Sequence, residues 1–92
     1  MYVYQGAIGQ KITLNIGVSI VGASVRQIKY EKPDGTDGYW TAAQESATEI
    51  SFTTTVVTDL DKIGNWKLQA YIVMPTWTDH GDIARLTVKK HL

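Results

Sequence analysis

The chain has 92 residues, nine basic side chains balanced by nine acidic ones, and no cysteine. This length fits one small domain, spanning residues 1–92, near the lower limit of what an unaided core can hold together. The charge balance leaves no electrostatic footprint for nucleic acid or an anionic membrane, and the lack of cysteine excludes disulfides, thiolate chemistry and cysteine-based metal sites.

Composition leans toward strand formers, with Thr, Val, Ile, Tyr and Trp plentiful and only one Phe. The opening Met1-Tyr2-Val3-Tyr4-Gln5-Gly6 has neither the basic nor the apolar region of a signal peptide, so synthesis in the cytoplasm is expected. Tyr2 and Tyr4 share one face of a first strand. In Gln10–Ile16, Ile12, Leu14 and Ile16 alternate with Lys11, Thr13 and Asn15, which describes a strand with one buried face. A loop from Gly17 to Gly22 leads to a third strand, Ala23–Tyr30. There Ala23 and Val25 fall in one phase and Ile28 and Tyr30 in the other, which predicts a β-bulge near Arg26-Gln27.

Lys32-Pro33-Asp34-Gly35 is a strong turn signal, because Pro pre-sets φ and Asp-Gly tolerates left-handed geometry. Tyr39 and Trp40 follow in the returning strand. Glu49–Val56 alternates again, with Ile50, Phe52 and Val56 expected inward. A corner loop, Asp59–Gly64, feeds the longest apolar alternation of the chain, with Trp66, Leu68, Ala70, Ile72 and Met74 on one face. The other face reads Lys67, Gln69, Tyr71, Val73 and so turns apolar toward its end. Pro75 to Gly81 is a connection, and Ala84, Leu86 and Val88 mark the last strand. The pattern predicts an all-β antiparallel sandwich of about seven strands with little or no helix.

Nothing in the chain assembles a catalytic constellation. His80 and His91 are the only imidazoles. Asp79-His80-Gly81-Asp82 has one histidine between two carboxylates but lacks the third or fourth firm ligand that zinc requires. Asp34-Gly35-Thr36-Asp37-Gly38 lacks the length and terminal glutamate of a calcium loop. No glycine-rich phosphate cradle opens a helix. A non-enzymatic protein without metal or cofactor is therefore expected.

The corner Leu60-Asp61-Lys62-Ile63-Gly64-Asn65-Trp66-Lys67-Leu68 resembles the immunoglobulin-type pattern that opens strand F. Trp66 stands where that pattern has its corner tyrosine and Leu68 where it has a cysteine, while Asp61 sits one residue early. The resemblance implies an immunoglobulin-like sandwich without a disulfide, in which the Trp66 indole N–H reaches a backbone carbonyl while its ring fills core. Together with Gly9–Leu14, Gly22-Ala23, Ile28–Gly35, Tyr39–Ala42 and Gly64–Ala70, the chain is also similar to small immunoglobulin-like domains of tailed-phage and prophage virion proteins. That likeness implies a structural module of the virion, docking on other capsid or tail proteins or on further copies of itself. The alternative it leaves open is a carbohydrate- or cell-surface-binding module, with Trp40 and Trp77 stacking on sugar rings of a cell-surface glycan. In either case Tyr39, Trp40, Tyr71, Val73 and Trp77 are the candidate interface residues, because surplus aromatic and apolar side chains anchor interfaces.

Overall fold

The computed structural model describes residues 2–92. Two sheets pack face to face as a β-sandwich, with nine strands and one short 3-10 turn among the described residues. The strands are β1 (Tyr2–Tyr4), β2 (Lys11–Asn15), β3 (Val25–Glu31), β4 (Asp37–Thr41), β5 (Ala43–Gln44), β6 (Glu49–Thr53), β7 (Gly64–Val73), β8 (Thr78–His80) and β9 (Ala84–Lys89). The larger sheet runs β1-β9-β7-β3-β4, with β8 paired to the far half of β7, and the smaller runs β2-β6-β5. The expectation of about seven strands missed two short ones, β5 and β8, of two and three residues. No helix among the described residues is long and apolar enough to cross a membrane.

The inward phases of the two sheets meet in one core. Ile12, Leu14 and Ile50 come from the smaller sheet; Val3, Ile28, Trp40, Trp66, Leu68, Ala70, Ile72, Leu86 and Val88 come from the larger. Ile20, from a loop, and Leu60, from the 3-10 turn, are both fully buried and join this core from outside the strands. Burial of this apolar surface is the main force holding a sandwich that has no disulfide.

Two local expectations are corrected. β3 contains no bulge: its register runs unbroken from Val25↔Val73 to Glu31↔Lys67 against β7, and from Gln27↔Thr41 to Glu31↔Asp37 against β4. The apparent slip arises because the inward position before Ile28 is polar. Arg26 occupies it, opposite Ile72, and its Nη1 donates to the Ala23 carbonyl at 3.0 Å. Ala23 packs against the core from outside the strand, and Val25 faces outward. The second correction concerns Val56, which is exposed rather than inward. β6 ends at Thr53, and the inward phase is continued by buried Thr54, whose Oγ1 donates to the Ala7 carbonyl at 2.9 Å and accepts from Gln10 N–H at 3.0 Å. Asp59 then accepts from the N–H groups of Thr55 and Val56 at 2.8 and 3.2 Å, turning the chain into the 3-10 segment Val57–Leu60.

The corner into β7 is built as the sequence pattern implied. Trp66 is fully buried and its Nε1 donates to the Lys62 carbonyl at 2.9 Å. The β3–β4 turn closes with Lys32 N–H on the Thr36 carbonyl and Gly35 N–H on the Lys32 carbonyl, Gly35 taking φ +87. Lys32 then ties turn and corner together. Its Nζ lies 2.9 Å from Asp61 Oδ1 and approaches the rings of Trp66 and Tyr30 at 5.5 and 5.7 Å. The hydrogen-bonded carboxylate of Asp61 raises the Lys32 pKa above its ordinary value, against the opposing effect of desolvation. A raised lysine pKa contributes stability that is complete at neutral pH and lost only in strong alkali.

On the smaller sheet, Lys11 and Ser51 both hydrogen-bond the Glu45 carboxylate and hold its pKa below the ordinary value. The Thr36 N–H does the same for Asp34 in the turn. Depressed carboxyl pKa values add stability that is complete above the unfolded value and drains away as pH falls through the folded one. Urea melts from pH 7 into the acid range are therefore expected to lose stability below the ordinary carboxyl values of 4.5 and 3.8. The Glu45→Gln variant should be less stable at pH 7 and show a shallower acid decline than the parent.

Candidate functional site

The outward face of the larger sheet collects the side chains with the most to offer a partner. Strand alternation places Val25, Gln27 and Lys29 of β3 there, with Gln69, Tyr71 and Val73 of β7, and Tyr39 of β4. Register fixes the neighbours. Tyr39 lies opposite Lys29, Lys29 opposite Gln69, Gln27 opposite Tyr71, and Val25 opposite Val73. β8 extends the face by setting His80 opposite Tyr71, their rings 4.9 Å apart, and Thr78 opposite Val73. Lys29 Nζ sits over the other side of Tyr71, 4.6 Å from the ring centroid. The Tyr71 ring is thus held between a cation and an imidazole, which fixes its orientation and leaves it half-buried.

Three of the five interface residues expected from the sequence share this face: Tyr39, Tyr71 and Val73. Trp40 does not. It is 7% exposed and points into the core, stacked on Phe52 at 4.9 Å and 8° and facing Trp66 at 6.1 Å. Its neighbour Tyr39, one step out of phase, takes the outward place and is 57% exposed. Trp77 is also displaced from expectation. The Pro75–Gly81 connection is not a simple loop, because it contains β8, and the Met74 N–H to Trp77 carbonyl bond of 2.7 Å closes a tight turn that packs Trp77 partly against the core. It lies in the turn after β7, across from Met74, rather than projecting freely.

Sequence alternation set Gln69 on this face, but Gln69, Lys29, His80 and Ile83, which complete it, were not among the expected contacts. The signal for the first two was present in the period of their strands; that for His80 was hidden because three residues are too short to display a period. At the opposite edge, Tyr2 and Tyr4 of β1 also point outward, edge to face at 6.2 Å, with Lys89 Nζ 4.1 Å from the Tyr2 ring. No group of three or more His, Asp or Glu able to hold a metal occurs among the described residues. No family model, no curated protein and no solved structure matches the chain.

Proposed function

We propose that this chain is a non-enzymatic, immunoglobulin-like docking module of a tailed-phage or prophage virion, attached to a capsid or tail protein through the β7–β8 half of the larger sheet. Strand order supports the fold assignment. β9-β7-β3-β4 follow the G-F-C-C′ order of a variable-type immunoglobulin sheet, and β2, β6 and β5 fall in the B, E and D positions. The virion setting rests on the resemblance of the whole string.

One observation carries the docking role: Val25, Tyr71 and Val73 form a continuous, partly exposed apolar strip where β3 begins and β7 ends, bordered by Gln27 and Thr78. A strip of apolar and aromatic residues within a polar border is the anatomy of a protein interface. Repeated copies on a lattice would make a modest interface sufficient through avidity.

Co-sedimentation with purified particles of the phage or prophage that encodes the chain tests the proposal. Saturable binding is expected, weakened about tenfold or more by Tyr71→Ala and by Val73→Lys, a loss of at least about 1.4 kcal/mol. Tyr2→Ser, on the far edge of the same face, should bind like the parent. Lack of binding to heads, tails and whole particles alike would refute it.

A further inference from the structure

A groove of about 410 Å³ opens on the same outward face, nearer the β3–β4 turn, and is lined by Lys29, Glu31, Asp37, Tyr39, Lys67, Gln69 and Ile83 among others. Its walls follow from register. One row across the sheet reads Tyr39, Lys29, Gln69; the next reads Asp37, Glu31, Lys67. Ile83, in the segment before β9, closes the first row. Gln69 Nε2 donates to the Gly81 carbonyl at 2.9 Å, and Gly81 N–H bonds the Ala70 carbonyl at 2.9 Å, so this segment is pinned beside β7. The groove therefore spans three strands and the segment holding Ile83, about 14 Å at a spacing of about 4.8 Å per strand. Tyr39 and Ile83, 57% and 59% exposed, stand at its two ends.

We infer that this groove is a binding site for the neutral pyranose units of a glycan, with Tyr39 as the stacking platform. Its lining carries two lysines and two carboxylates, so a phosphate, a sulfate or a polycation would meet two charges of the wrong sign. Each sugar hydroxyl both donates and accepts, which suits a floor holding both kinds of group: Lys67 Nζ and Glu31 Oε1 face each other at 3.8 Å, Asp37 accepts, Lys29 borders the floor from its seat over Tyr71, and Gln69 keeps its amide oxygen free of hydrogen bonds from the described residues. The C–H face of a pyranose is apolar and flat, matching the exposed Tyr39 ring, which has no aromatic or cationic side chain packed on it among the described residues. An extended peptide is a poorer occupant. The main chain of β3 and β7 is already paired on both sides along the floor, so strand addition would be confined to the outer edge of β4, outside the floor. Here the structure also relocates the aromatic platform: Trp40 is core, and Tyr39 holds the exposed position beside it.

This inference goes beyond the docking role and uses different residues of the face. Screening the purified domain on an array of neutral and acidic glycans, followed by amide chemical-shift titration with the strongest neutral hit, tests it. The expected result is saturable binding of neutral glycans, with shifts centred on Lys29, Tyr39, Gln69 and Ile83. Binding should hold from low salt to about 0.5 M salt. Tyr39→Ala should weaken it about tenfold or more and Tyr39→Phe should retain it, while Val73→Lys, which tests particle docking, leaves it unchanged. Binding of acidic glycans only, of no glycan, or of neutral glycans equally by Tyr39→Ala would overturn the inference. Those outcomes leave particle binding as a separate measurement.

Discussion

Replacing Trp66 with alanine is expected to cost about 3–5 kcal/mol, the range for emptying a fully buried aromatic site. A domain of this size holds roughly 5–14 kcal/mol in total, so the loss is a large share of it and the variant should melt well below the parent. The size of the effect follows from what the side chain touches. Its ring packs against Tyr30 at 5.6 Å and Trp40 at 6.1 Å, and Trp40 in turn stacks on Phe52 of the opposite sheet. Trp66 is thus the base of an aromatic column that bridges the two layers. Trp66→Phe separates ring from donor: it keeps most of the packing but leaves the Lys62 carbonyl without its 2.9 Å partner. About 1–2 kcal/mol is expected from the lost hydrogen bond, read in each case as a shift of the urea midpoint at unchanged slope.

Gly64→Ala is the second large effect, expected at about 2–3 kcal/mol from strain and overpacking together. Gly64 opens β7 with φ +132, a conformation L side chains rarely adopt, and an added Cβ would lie 2.7 Å from Pro33 Cγ. Both terms come from one piece of geometry. The corner needs a residue that turns sharply while the Pro33 ring of the neighbouring turn rests on it. If the clash dominates, Gly64→Ala combined with Pro33→Ala should regain part of the loss. If the backbone dominates, the double variant should be no more stable than Gly64→Ala alone.

The fold was legible wherever burial follows a clean period of two. β2, β7 and β9 alternate without interruption, and the inward residues named from the sequence are those the structure packs inward. The corner was legible through chemistry rather than period, since an indole entering a core strand needs a carbonyl and the Lys62 carbonyl supplies one. The failures have physical causes too. Arg26 sits at an inward position, where a polar residue reads as a change of phase. Val56 lies beyond the end of its strand because Asp59 captures the N–H groups that would continue it. The outward face was half legible. Tyr71 and Val73 could be placed by alternation alone, but Tyr39 and Trp40 are adjacent, and period alone does not say which of two neighbouring aromatics is inward. Pairing with β3 decides it: Trp40 is matched with Ile28 and Tyr39 with Lys29.

The outward face of the larger sheet thus carries two adjoining regions of different chemistry. The strip Val25-Tyr71-Val73 is apolar and suits a protein surface. The groove between Tyr39 and Ile83 is polar-floored, aromatic-ended and neutral. Hydrogen–deuterium exchange of the domain bound to intact particles, compared with the free domain, tests the docking surface most directly. Slowed exchange confined to β8, the β7–β8 turn and the adjoining part of β3, with β2, β6 and β5 unchanged, is the expected result. Protection centred on β2, β6 and β5, or none on any strand of the larger sheet, would contradict it.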